Sequence, residues 1–278
     1  MGVKGLYTYL KPYRRSISPE YTEPLRIGVD AMSLIYKYKN TYKSIFAHID
    51  VLKKKGHTII FVFDGKAPAE KAPEITERRE ARLTASTHAA SLKDALNDPN
   101  LSPKERAVLE GSVARLELQG WHLTRDIRHE IHDGLVEMGI DCVRAKEEAD
   151  QLLAAMACNG HVDVVVSTDM DFLLSGVERL WIPGVRADYE EIILSEVLHG
   201  EGVSKVGFVD AGILCGVEPL HGAISVPPKT AFMWIHHYGS MEKLLLQRAD
   251  LTELDVIREP GKLERVRRHY VSADSVKN

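Results

Sequence analysis

Only three cysteines, Cys142, Cys158 and Cys215, occur in 278 residues, and none is paired as C-x-x-C. That excludes a disulfide framework and a zinc knuckle, and fits a reducing, intracellular compartment. Long hydrophobic runs are also missing. No apolar stretch approaches the ~18 residues that span a bilayer, and the opening MGVKGLYTYLKPYRR lacks the apolar segment of a signal peptide. The expectation is a soluble, intracellular protein with no membrane partner. Glycine (20) and proline (12) show no excess, which excludes a low-complexity chain. Apolar residues at 44% and charged residues at 27% describe an ordinary globular protein, long enough to bury a substantial core.

The net charge of −4 conceals an uneven distribution. Residues 1–60 carry 11 Lys and Arg against 4 Asp and Glu, whereas residues 141–220 carry 5 against 15. A uniformly basic nucleic-acid coat is therefore excluded. Local basic surface beside a concentrated acidic cluster suits an enzyme that holds a polyanion near metal cations, although solvated faces would give the same totals.

Four β-branched runs read as buried parallel strands: LRIGV before Asp30, TIIFVF before Asp64, a weaker IDCV at 140–143, and VDVVV before Ser167. Helical patterns at 31–55 and 146–157 lie between them. The predicted fold class is α/β, a mostly parallel twisted sheet with helices on both faces. The stretch 66–135 is highly charged and is set off from the Asp64 strand by Gly65, Pro68 and Pro73, which predicts a helical insertion arching over one edge of the sheet. Within it, Ser102-Pro103 marks a new helix start, with Pro103 at the first helical position. After residue 200 the pattern is helical, with turns at Gly216, Gly222 and Pro227-Pro228.

Carboxylates punctuate this pattern. Asp30, Asp64 and the pair Asp169 and Asp171 end strands, and Glu148 and Asp150, with Glu147 beside them, open the helix before VDVVV. Ligands of open α/β sheets bind outside the carboxyl ends of the strands, so these acids should converge. One aspartate at a strand end is commonly a turn residue or helix cap. Several at one edge would repel each other strongly unless neutralised, and hard divalent cations are the simplest neutralisers. All-oxygen donors suit Mg²⁺ or Mn²⁺, and two such ions can drive phosphodiester hydrolysis.

The blocks MGVKGL, IGVDAMSLIY, FVFDGKAPAEK, VRAKEEADQLLA, STDMDFLLSG and FVDAGILCGVEPLHGAISVPPKTA follow one another as in the flap endonuclease/XPG family of structure-specific 5′ nucleases. The chain resembles that family over about residues 1–240. The resemblance implies a 5′ nuclease domain at 1–240, containing the 66–135 arch or cap and a helix-two-turn-helix-like region at 205–240, then a helical tail at 241–278. It also implies two Mg²⁺ ions, with Mn²⁺ as a substitute, held by Asp30, Asp64, Glu148, Asp150, Asp169 and Asp171. The family's E-x-E is Glu148-Ala149-Asp150 here. The seventh family acid aligns with Glu218, one methylene longer than aspartate and followed by Pro219, which leaves open direct ligation, ligation through water, or none. Lys71 and Arg78, seven residues apart, match the gateway-helix cations that contact the scissile phosphate. Tyr36 matches a tyrosine that stacks on a base, Gly2 an N-terminal glycine packed near the active site, and Lys229 the lysine after a duplex-binding hairpin.

Departures are informative. The family's Gly-x-Gly-Pro-Lys hairpin, often with a bound K⁺, is Ser225-Val226-Pro227-Pro228-Lys229 here. Pro227 removes an N–H and fixes φ, which argues for weaker duplex anchoring and against K⁺. The last residues, HYVSADSVKN, lack a sliding-clamp-binding motif, and the short form resembles viral or parasite members. The leading expectation is therefore a Mg²⁺-dependent nuclease acting on DNA flaps, nicks or free 5′ ends in replication, repair or recombination, in the nucleus or at a viral or organellar replication site. Two alternatives remain: an RNA-cleaving enzyme using the same site, and a catalytically reduced junction-binding module.

Overall fold

A computed structural model of the chain describes residues 3–18, 22–67, 71–184, 188–220 and 223–270. Gly2 lies outside the described residues. The strands are β1 (Arg15–Ile17), β2 (Arg26–Asp30), β3 (Thr58–Phe63), β4 (Asp141–Arg144), β5 (Val164–Val166), β6 (Arg179–Pro183) and β7 (Tyr189–Ile193). The first eight helices are α1 (Leu6–Tyr9), α2 (Ala31–Tyr38), α3 (Ser44–Lys54), α4 (Ala72–Ala95), α5 (Pro103–Gly120), α6 (Arg125–Glu137), α7 (Ala149–Cys158) and α8 (Asp171–Leu174). They are followed by α9 (Leu194–Glu201), α10 (Lys205–Cys215), α11 (Pro228–Tyr238), α12 (Met241–Gln247), α13 (Asp255–Arg258) and α14 (Lys262–Tyr270).

The strands form one sheet in the order β1-β7-β6-β5-β2-β3-β4. β2 to β6 run parallel, while β7 is antiparallel to β6 and β1 is antiparallel to β7. The mostly parallel α/β fold predicted from sequence is present. Alternation along each strand divides the core in two. Ile27, Val29, Phe61, Val164 and Val166 pack with α2, α3 and α6, and Val62, Val165 and Leu180 pack with α7, α8, α10 and α11. Gly28 faces α7, where a Cβ would meet the Leu153 side chain at 2.4 Å, so glycine there lets the helix approach the strand.

The predicted 31–55 helix is two helices, broken at Lys39, the one described non-glycine residue with positive φ (45°). β6 and β7 have no counterpart among the predicted strands. Their pattern is interrupted by Arg179, Glu190 and Glu191, yet Glu191 is buried, with its Oε1 accepting from Trp181 Nε1 and Arg179 Nε at 2.9 Å each. A charge paired in this way is tolerated inside a sheet.

α4 and α5 form a mostly exposed hairpin. The second arm starts with a capping box, Ser102 and Glu105, and with Pro103 at its first position as predicted. α6 differs, burying Ile131 and Leu135 fully in the sheet core. At the C-terminal end, α14 is fastened to α10, which is buried from Gly207 to Cys215, by Arg267, whose guanidinium lies 2.7 Å from Asp210 Oδ2.

Candidate active site at the carboxyl end of the sheet

β2, β3 and β5 each deliver acids at or just beyond their carboxyl ends. Asp30 ends β2 and caps α2: Oδ1 accepts from the Ser33 N–H (3.0 Å) and Oδ2 from the Ser167 hydroxyl (2.9 Å). Ser167 Oγ in turn accepts from the Asp169 N–H (3.1 Å), and Asp169 Oδ1 from the Asp171 N–H (3.0 Å). Ser33 Oγ accepts from the Thr168 N–H at 2.8 Å, tying the start of α2 to the same turn. One hydrogen-bonded chain thus ties the Asp30 and Asp169 carboxylates to the turn that carries Asp171.

Asp64, just after β3, accepts from the Ala149 N–H at 2.9 Å and so caps α7 from outside. Glu148, the N-cap residue of α7, makes no side-chain capping bond. Its carboxylate is turned instead to the Lys71 ammonium, with which it is ion-paired. Lys71 also reaches Glu218 Oε2 at 3.0 Å, and Arg78 NH2 lies 3.4 Å from Glu218 Oε1. The foot of α4 is therefore joined to two of the expected acids, one on each side of Lys71. Asp150 sits in the first turn of α7.

The electrostatics are those of concentrated, desolvated negative charge. Burial pushes the Asp30 carboxyl up to about 7. Burial and the Asp169 charge push Asp171 up to about 7, and burial with the Glu148 charge takes Asp150 to about 6. Burial raises Asp169 as well. Burial alone would lower Lys71, but its hydrogen bonds to Glu148 and Glu218 lift it above the usual lysine range, so it stays charged. Among the described residues, no three acidic, histidine or cysteine side chains form a ready coordination shell. The donor chemistry nevertheless fits hard divalent cations: the groups are all carboxylates, Asp30 is buried and Glu148, Asp150, Asp169 and Asp171 are half-buried, and their mutual repulsion is relieved only in part by Lys71.

The other expected residues lie around this edge. Tyr36, half-buried on α2, meets Trp121 edge-on with ring centroids 5.5 Å apart, and the Arg82 guanidinium lies 5.7 Å from its ring centroid. Lys229 is exposed in the first turn of α11, which starts at Pro228. The preceding hairpin is held by the Val226 N–H to the Leu214 carbonyl (2.8 Å), and Lys4 Nζ donates to Ser225 Oγ (3.1 Å).

Sequence reasoning missed several groups at this site. Ser167 and Thr168 carried a local signal, being hydroxyl residues between a strand and Asp169. Tyr270 carried none. Its hydroxyl, on α14, donates to Asp171 Oδ2 at 3.2 Å across 99 positions of sequence, while the Val3 N–H donates to Oδ1 at 3.0 Å. His269 beside it is within electrostatic reach of Glu148, Lys71 and Glu218.

Comparison with known proteins gives a consistent result. The XPG N-terminal domain family matches residues 1–85 and the XPG I-region family matches residues 139–218. A flap endonuclease 1 of Methanosphaerula palustris is 31% identical over 218 residues, covering 74% of this chain and 62% of that protein. A flap endonuclease 1 of Candida tropicalis is 27% identical over 276 residues, covering 88% and 70%. Among solved structures, the catalytic core of Rad2 in complex with DNA substrate aligns with TM-score 0.67 at 19% identity, over 98% of this chain and 87% of that one. Flap endonuclease-1 from Methanococcus jannaschii aligns with TM-score 0.61 at 21% identity, over 97% and 84%. These structural likenesses concern the fold.

Proposed function

The chain belongs to the flap endonuclease/XPG family of nucleases, and from that premise we propose that it is a structure-specific DNA nuclease. It hydrolyses phosphodiester bonds at 5′ flaps, nicks or free 5′ ends during replication, repair or recombination. In this reading residues 1–240 are the nuclease domain, with the arch at 66–135 and the duplex-binding region at 205–240, and residues 241–278 are a tail. Among the described residues no helix is long and apolar enough to cross a membrane.

The observation that carries the proposal is the seating of Lys71 between Glu148 and Glu218 at the mouth of the carboxylate group. A cation from the arch and acids from three strand ends then meet where a phosphate must lie. Asp30, Asp64, Glu148, Asp150, Asp169 and Asp171 would hold two Mg²⁺ ions, or Mn²⁺ in their place. Such ions supply an activated water and charge neutralisation at the leaving oxygen. The chain's own residues do the rest. Ser33, Ser167 and the Val3 N–H fix the carboxylates before substrate arrives, so little reorganisation is needed at the moment of reaction. Lys71 and Arg78 exchange their carboxylate partners for the scissile phosphate, neutralising charge as it builds. Tyr36 offers a ring face to the adjacent base, and Lys229 a charge to the duplex backbone.

The test is cleavage of end-labelled flap, nicked, blunt-duplex and RNA substrates with and without Mg²⁺. Mg²⁺-dependent cutting near the flap junction is expected. Cutting of RNA alone would reassign the substrate, and tight junction binding with no cutting would leave a binding module.

A further inference from the structure

The exposed α4–α5 hairpin meets the body of the protein at Tyr36 as well as at the carboxylates. Lys71 at the head of α4, then Arg78 and Arg82 within it, follow one another at helical spacing. The first two lie on Glu148 and Glu218, and the third reaches Tyr36 of α2, with its guanidinium 5.7 Å from the ring centroid. The second arm arrives at the same ring. Trp121, the C-cap residue of α5, meets Tyr36 with 5.5 Å between ring centroids and 89° between ring planes. Two features hold this arm in place. A Cβ on Gly120 would come within 2.4 Å of Ser86 Oγ, so glycine lets the end of α5 close on α4. Lys39 Nζ, just past the end of α2, donates to the Leu118 carbonyl at 2.6 Å.

Of the two neighbours of Tyr36, Trp121 is the rigid one. It is half-buried and packs against the core that the sheet shares with α2, α3 and α6, whereas Arg82 reaches the ring with the end of a long, rotamer-rich side chain. An edge-to-face pair sets the plane of one ring against the other. A ring that receives a base benefits from such support, because ordering a loose aromatic side chain at the moment of binding costs affinity.

Resting on the nuclease reading, we propose that Trp121 is a positioning residue for base recognition: it sets the plane of the Tyr36 ring on which the base beside the scissile phosphate stacks. Trp121 belongs to the arch, so a single contact brings the base platform and the arch cations into register.

A double-mutant cycle tests this on both protein and substrate. Binding of a flap substrate is measured with Ca²⁺ in place of Mg²⁺, beside the same flap carrying an abasic site at the base next to the scissile phosphate. Trp121→Ala should weaken binding of the ordinary flap about three- to tenfold, the span an edge-on aromatic pair supplies, and leave the abasic flap unchanged. Trp121→Phe keeps a ring and most of the packing, and should lose less with the same dependence on the base. In a Tyr36→Ala background, Trp121→Ala should cost nothing further. Equal losses on both flaps, or the same loss with and without Tyr36, would make Trp121 a packing residue of the arch and overturn the assignment. A spectroscopic readout stands apart from affinity: 2-aminopurine at the same base should be quenched by the wild-type chain and less by Trp121→Ala. Equal quenching by the two, or none by the wild type, would also overturn it. A wild-type chain that cuts no substrate with Mg²⁺ while the Tyr36–Trp121 coupling holds would refute the nuclease reading and leave positioning by Trp121 standing.

Discussion

Asp171 is held from two sides, by the Val3 N–H and the Tyr270 hydroxyl, and is still raised to about 7. Its negative charge is therefore costly and valuable only where a cation shares it. Asp171→Asn keeps the shape and removes the charge, so cleavage should fall by several powers of ten with substrate binding largely kept; residual activity above about a tenth of wild type would take Asp171 out of the metal-holding set. Tyr270→Phe is subtler. The ring stays in the core, but Asp171 loses a donor that favours its ionised form. The Mg²⁺ concentration for half-maximal rate should rise severalfold while the rate at saturating Mg²⁺ recovers. A lowered rate that no Mg²⁺ concentration restores would argue against positioning through Asp171. Glu218→Ala should be milder than loss of any of the other six acids, since its carboxylate is engaged with Lys71 and Arg78. Complete inactivity at saturating Mg²⁺ would make it a direct ligand.

At the scale of elements, the α4–α5 hairpin reaches the acids, among the described residues, through the foot of α4, where Lys71 and Arg78 share one face. If, as proposed, they meet the phosphate where charge develops, Lys71→Ala and Arg78→Ala should slow single-turnover cleavage roughly tenfold or more, about 1.4 kcal/mol, with little change in affinity or its salt dependence. Weaker binding with normal cleavage at saturation would reduce the arch to an electrostatic collar. The elements also show what sequence could and could not disclose. β2, β3 and β5 were legible because buried parallel strands are continuous β-branched runs, and each is followed by an acid; β4 was legible only as the weaker run IDCV, without an acid at its end. β6 and β7 were not, because Glu191 looks like a surface residue until Trp181 and Arg179 are seen to satisfy it. Lys39, whose positive φ divides α2 from α3, has no local signature. The docking of α14 was invisible for another reason: the Arg267–Asp210 pair joins positions 57 apart, and no local pattern announces it.

For the whole molecule, the acid-rich centre sets how stability depends on pH and metal. Asp30, Asp150 and Asp171 have ordinary values of 3.8 and folded values of about 7, 6 and 7. The folded chain then binds more protons than the unfolded chain between about pH 4 and pH 7, so stability falls as pH rises through that window. Their contribution is fully present below 3.8 and lost above about 7. Acids with lowered values, such as Asp163 and Glu130, act in the opposite sense but below the ordinary carboxylate range. His48, lowered by burial, opposes the trend below the ordinary histidine value and does so with or without metal. The clean observable is therefore the rise in Tm that Mg²⁺ produces over chelated protein. A cation competes with protons for these carboxylates and stabilises the state it binds. The rise should be small near pH 5 and grow steadily to about pH 8, and Asp171→Asn should flatten it. An increment independent of pH, or one largest in acid, would show that the desolvated carboxylates are not where the cation binds.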